Sequence, residues 1–104
     1  MTLEVTDGNI DEILKNNETA VITFKTSWCG PCKSLTPVLE DLAKEMTGMV
    51  IGKVDAEMNP ESALKYEIRG VPNTLFFKNG EVVKSHMGMI QKSKLQEMIK
   101  EFLN

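Results

Sequence analysis

Cys29 and Cys32 are the only cysteines in a chain of 104 residues, and they lie in the run Trp28-Cys29-Gly30-Pro31-Cys32-Lys33. Two thiols at this spacing can close a small ring. A C-x-x-C pair at a strand-to-helix junction reads as a thiol–disulfide redox site. In such exchange the thiolate is the nucleophile, and a free thiol of pKa ~8.5 is mostly protonated at neutral pH. A helix starting just after Cys29 would aim unpaired N–H groups and the positive end of its dipole at that sulfur. No carboxylate stands within the motif to oppose the effect. Cys32, inside the first turn, is then the shielded thiol of higher pKa, so Cys29 attacks and Cys32 resolves. Gly30 lets a partner approach closely, and Pro31 suits the first helical position, where a missing N–H costs nothing. The ring is too short to stabilise folding much by loop entropy, which argues against a purely structural bridge.

The elements around the motif must place it at a sheet end. Ala20–Thr26 is a buried strand leading into it. From Cys32 onward, Leu35, Val38, Leu39, Leu42, Ala43 and Met46 form one helical stripe. Gly48 ends that helix and Pro37 kinks it. Before the motif, Leu3–Val5 is a weak strand. Ile10, Ile13 and Leu14 have helical spacing, with Thr6 or Asp7 as cap and Asn16-Asn17 as stop. After it, Met49–Val54 is a second buried strand. Asn59-Pro60-Glu61 caps and opens a short helix to about Tyr66. Thr74–Lys78 and Glu81–Met87 pair across Asn79-Gly80, the strongest short hairpin signal. Leu95, Met98, Ile99 and Phe102 line one face of a last helix. The order β-α-β-α-β-α-β-β-α predicts an α/β fold, a mixed five-stranded sheet with helices on both faces, as a single domain over 1–104.

Composition narrows the function. The formal net charge is −3, with twelve basic residues scattered among fifteen acidic ones. That argues against nucleic acid or an anionic membrane as the main partner. No apolar stretch approaches the ~20 residues of a membrane span. Met1-Thr2-Leu3-Glu4-Val5 lacks the basic and apolar regions of a signal peptide, so a cytoplasmic chain is expected. Two cysteines are too few for the framework of a secreted mini-protein.

With Ile68-Arg69-Gly70-Val71-Pro72, Phe77-Lys78-Asn79-Gly80-Glu81 and Gly88 at the right distances downstream, the chain resembles the thioredoxin family over essentially its whole length. The Gly-Pro pair between the cysteines resembles thioredoxins more than disulfide isomerases or glutaredoxins. The resemblance implies the thioredoxin fold and a cofactor-free protein-disulfide reductase or electron carrier, expected as a monomer. A thioredoxin reductase would recharge it, and oxidised proteins would be its clients. It also implies a cis peptide before Pro72 beside the disulfide. Trp28, Gly70, Val71 and Gly88 would then frame an apolar groove, in which the Val71 backbone pairs with an extended client segment.

Three positions depart from the family. Thr23 stands where thioredoxins usually bury an aspartate thought to move the resolving thiol's proton, and threonine cannot serve as that base. Lys53 matches the lysine near that aspartate and either lacks its partner or simply snorkels to water. Lys25 and Ser27 replace aromatic and acidic or proline residues, which would make the site more electropositive if Lys25 points toward it.

Other functions stay open at this level. Some thioredoxins serve as accessory subunits through the groove alone. A metal site is disfavoured, because Cys29, Cys32 and His86 supply only three ligands where structural zinc takes four. His86, the only histidine, has no surroundings like those of a cysteine hydrolase. Met46, Met49 and Met98 are expected in the core, and Met87 and Met89 flank Gly88 near the groove.

Overall fold

The computed structural model describes residues 2–104, so Met1 of the N-terminal segment lies outside the described residues. Nine elements follow one another: β1 (Leu3–Val5), α1 (Ile10–Asn16), β2 (Thr19–Lys25), α2 (Gly30–Glu45), β3 (Val50–Asp55), α3 (Pro60–Lys65), β4 (Asn73–Lys78), β5 (Glu81–Met87) and α4 (Lys92–Leu103). The strands form one sheet in the order β1-β3-β2-β4-β5. β1, β3 and β2 are parallel, β4 runs antiparallel to β2, and β5 antiparallel to β4. This is the expected mixed sheet with its terminal hairpin. Asn79 and Gly80 both have positive φ, 52° and 82°, as the two-residue turn of a type I′ hairpin requires.

β2 is central and buried along nearly its whole length, because it is covered on both faces. Val21 faces Leu35, Leu39 and Leu42 of α2 and Leu95 and Ile99 of α4. Ala20, Ile22 and Phe24 face Ile10 and Leu14 of α1, with Tyr66 and Ile68 packed at the margin. The alternation assigns α2 and α4 to one face, α1 and the α3 region to the other. No helix among the described residues is long and apolar enough to cross a membrane.

Element ends differ from the sequence expectations in ways that local chemistry explains. α2 starts at Gly30, directly after Cys29 and one residue before the expected Pro31, and stops at Glu45, with Gly48 (φ 93°) in the turn beyond. Pro31 is therefore the second helical residue, still within the turn whose N–H groups have no helical partner. Pro37 lies inside α2 and removes its bond to the Lys33 carbonyl. The expected caps are exchanged. Asn9, not Thr6 or Asp7, occupies the cap of α1, and its side-chain oxygen accepts the Thr6 N–H at 2.7 Å. Asn59 occupies the cap of α3, but its side chain turns away. It accepts from the Asp7 N–H at 2.9 Å and donates to the Asp55 carbonyl at 3.0 Å. Asp7 caps α3 instead, accepting the N–H groups of Glu61 at 3.2 Å and Ser62 at 2.8 Å.

That long-range cap carries a charge consequence. Burial pushes the Asp7 carboxyl up, but bonds from the Ser62 hydroxyl and from the Ser62 and Glu61 N–H groups outweigh it and hold it below its ordinary value. A lowered folded pKa stabilises the fold above the unfolded value and loses that contribution as pH falls through the folded one. Asp7→Asn should lower the thermal midpoint by a few degrees at pH 7. The deficit should shrink toward pH 3, and melting curves of both proteins across that range check it.

Candidate active site

The topology gathers three distant segments at one end of the sheet. β2 delivers Thr26-Ser27-Trp28-Cys29 from its C-terminal end. β4 is antiparallel to β2, so its first residue, Asn73, pairs with Phe24 and brings Val71 and Pro72 alongside. β5 is antiparallel to β4, so its last residue, Met87, pairs with Asn73 and brings Gly88 to the same place.

Cys29 is the N-cap of α2. Its backbone is extended (φ −83°, ψ 115°), and its sulfur accepts the N–H of Cys32 at 3.2 Å. The Cys29 carbonyl accepts the Lys33 N–H at 3.2 Å, which opens the helical ladder. No acidic residue stands in the first turn, so nothing there opposes negative charge on sulfur. The two cysteines are joined as a disulfide, with Cα atoms 5.2 Å apart. Both are buried, so burial does not set Cys32 apart as the shielded thiol. Their places on α2 do: one caps it, the other lies within its first turn.

The Val71–Pro72 bond is cis. The Val71 carbonyl oxygen lies 3.8 Å from Cys29 Sγ. The Pro72 carbonyl accepts the Gly88 N–H at 2.8 Å, where Gly88 has φ 92°. The structure thus brings Cys29, Cys32, Val71, Pro72 and Gly88 together. A Cβ at Gly30 would meet nothing within 4 Å, leaving open space above the motif. Trp28 is 68% exposed, so it does not fill the core. Met87 and Met89 are exposed as well, whereas Met98 is buried and Met46 and Met49 pack against the core.

Behind the site lies a residue that sequence reasoning missed. Thr23 and Thr74 are both buried, and their hydroxyls share a hydrogen bond of 2.8 Å. Thr74 stands directly opposite Thr23 in the β2–β4 register. Its signal in the sequence is one hydroxyl in the apolar run Thr74-Leu75-Phe76-Phe77, which is meaningless until the register is known. Lys53 is also in register with Thr23, but its ammonium reaches the Glu4 carboxylate at 4.0 Å. Its side chain is only 16% exposed, so it does not simply extend into water. Lys25 shares a register position with Asp55. His86 Nε2 lies 3.4 Å from the Met89 carbonyl oxygen, engaged locally.

The fold and this site define a thiol–disulfide oxidoreductase. The family model described as Thioredoxin matches residues 1–101. A thioredoxin of Buchnera aphidicola subsp. Baizongia pistaciae is 39% identical over 103 residues, covering 97% of this chain and 94% of the relative. A thioredoxin of Staphylococcus saprophyticus is 38% identical, covering 97% of each chain. An M-type chloroplastic thioredoxin of Pisum sativum is 39% identical over 95% of this chain and 59% of its own longer one. Among solved structures, a mutant thioredoxin from Halobacterium salinarum superposes with a TM-score of 0.91 at 33% identity, over 99% of this chain and 91% of that one. The chain belongs to the thioredoxin family and is a disulfide reductase of the thioredoxin type.

The hydroxyl pair generates a stability test. Thr74→Val strands the Thr23 hydroxyl in the core and should cost about 1–3 kcal/mol. The double variant Thr23→Val/Thr74→Val removes both polar groups and should recover much of that loss. Denaturant unfolding of the two single variants and the double one closes the cycle.

Proposed function

We propose that Cys29 is the attacking thiolate and Cys32 the resolving thiol in the reduction of protein disulfides. The observation that carries this assignment is the position of the Cys29 sulfur at the N-terminus of α2, where it accepts the Cys32 N–H. An anion there gains both the hydrogen bond and the helix dipole, whereas Cys32 is a ring member behind it. The Cys29 thiolate attacks one sulfur of a client disulfide, forms a mixed disulfide and expels the other client sulfur as thiolate. The Cys32 thiol then loses its proton and attacks Cys29 Sγ. The Cys29–Cys32 bond forms and the second client thiolate leaves, so two electrons pass to the client.

The client lies in the groove framed by Trp28, Gly70, Val71 and Gly88, its extended segment pairing with the Val71 backbone. Pro72, buried and joined to Val71 by a cis bond, sets the backbone that presents Val71 to that segment. Membership of the family implies a reductase and disulfide-bearing clients in general; a thioredoxin reductase is the recharging partner proposed for this chain. A cytoplasmic location fits, since a reducing compartment keeps such a pair cycling. In place of the usual aspartate, the Thr23–Thr74 pair holds no base. Resolution by Cys32 then depends on water or on Cys29 to take its proton.

The thiol assignment is tested with single-cysteine variants. In Cys32→Ser, the rate of alkylation against pH should titrate below the range of a free thiol, and the variant should accumulate a mixed disulfide with insulin. Cys29→Ser should do neither. Titration of Cys29 at or above the free-thiol value would overturn the assignment. Thr23→Asp should accelerate insulin reduction several-fold and add an ionisation to the pH–rate profile. An unchanged or slower rate would remove the buried base from the account.

A further inference from the structure

The rim of the groove carries a reactive group that disulfide exchange does not use. Met87 ends β5 and is 54% exposed. Its side chain lies over Gly70: a Cβ built there would meet Met87 Cε at 3.3 Å and Sδ at 3.4 Å. The thioether thus covers the backbone one residue before Val71. Its main chain is fixed at that place on both sides, by pairing of Met87 with Asn73 and by the Gly88 N–H to the Pro72 carbonyl. Met58 is more exposed, at 77%, but it belongs to the loop between β3 and α3 and not to this junction. Met98 is 8% exposed in the core.

We propose that Met87 is an oxidation-sensitive modification site, at which a hydroperoxide converts the thioether to a sulfoxide and weakens client docking over Gly70 and Val71. This rests on the docking role of the groove proposed above. In the step, sulfur takes one oxygen atom from the peroxide. The O–O bond breaks, an S–O bond forms, and hydrogen peroxide leaves as water. Sulfur loses two electrons and the peroxide gains them. A methionine sulfoxide reductase, drawing on a dithiol, reverses it with release of water. The product replaces a flexible apolar rim by a polar, chiral one bearing a strong acceptor. A client that covers it must desolvate that acceptor without giving it a donor. While Cys29 and Cys32 are joined, neither offers a thiolate to compete for the peroxide.

The protein in its disulfide form is treated with hydrogen peroxide, each methionine is quantified by peptide mass spectrometry, and the sample is then reduced with dithiothreitol and assayed. Met87 should convert well ahead of Met98. The kcat/KM for insulin should fall about tenfold, and for a small aromatic disulfide by much less. Methionine sulfoxide reductase should restore it. Met87→Leu, compared with its own untreated form, should keep its insulin rate through peroxide. Slow conversion of Met87, an undiminished insulin rate, or a loss that persists in Met87→Leu overturns the proposal. Trp28→Ala, assayed without peroxide, tests the docking role separately. If it impairs insulin and the small disulfide equally, the groove does not dock clients and both ideas fall. If it impairs insulin selectively while oxidised wild type keeps its rate, only the Met87 inference falls.

Discussion

The hydrogen bond from the Cys32 N–H to the Cys29 sulfur exists only if the start of α2 is held still against the end of β2. A bond to sulfur is weak and cannot hold a helix of 16 residues by itself. The anchoring comes from Leu35, Leu39 and Leu42, each at most 2% exposed and packed on Val21 and Phe76. Each such side chain contributes about 1.5–3 kcal/mol on burial, larger than the ~0.5–1.5 kcal/mol net of an ordinary hydrogen bond. The apolar stripe therefore fixes the helix, and the helix fixes the dipole and free N–H groups at the sulfur. The chemistry sits at the end of a lever whose other end is core packing.

The same face of the sheet carries a polar row that crosses all five strands. Register pairs Glu4 with Lys53, Lys53 with Thr23, Thr23 with Thr74 and Thr74 with His86. Its edges are charged or titratable and its centre is a pair of neutral hydroxyls. This arrangement follows burial. At the edges, Glu4 is 70% exposed, so a carboxylate remains solvated and the Lys53 ammonium can lean toward it. At the centre, burial forbids an unpaired charge but tolerates two hydroxyls that satisfy each other. Glu40 on α2 adds to the same side: bonds from the Thr2 hydroxyl and N–H, with the Lys53 charge beyond, keep its carboxyl below the ordinary value against the effect of burial. Lys53, on β3 beside the edge strand β1, thus has the Glu4 carboxylate within 4.0 Å of its ammonium without an aspartate at position 23.

Much of this was legible in the sequence because it is local. The C-x-x-C motif, the Asn79-Gly80 turn and the stripes of α2 and α4 are periodic or contiguous patterns, and the order of elements along the chain, with its mixed sheet and closing hairpin, follows from such patterns. The ends of helices were less legible. Asp7 and Asn59 are both good caps by type, but which one caps α3 depends on where the β1–α1 turn lies against it, 52 residues away along the chain. Thr74 was invisible for a similar reason. A threonine in a strand is ordinary until the register places it opposite another buried threonine. Met87 was placed near the groove by sequence, but its contact with Gly70 needed the β4–β5 pairing and the link from Gly88 to Pro72.

These two kinds of information divide the function. The activation proposed for Cys29 draws on backbone: a helix start and the Cys32 N–H group. Side-chain changes elsewhere leave such features intact as long as the core packs. The proton handling proposed for Cys32 and the rim chemistry proposed for Met87 depend instead on side chains, those of Thr23, Thr74 and Met87. Those positions are constrained mainly by volume and by satisfied polarity. At Thr23 the shared hydroxyl bond with Thr74 satisfies the buried polar groups within the sheet register and offers no carboxylate to take a proton. The proposed redox step and the proposed proton and oxidant chemistry therefore rest on separate physical elements, the first on core packing and backbone, the second on individual side chains.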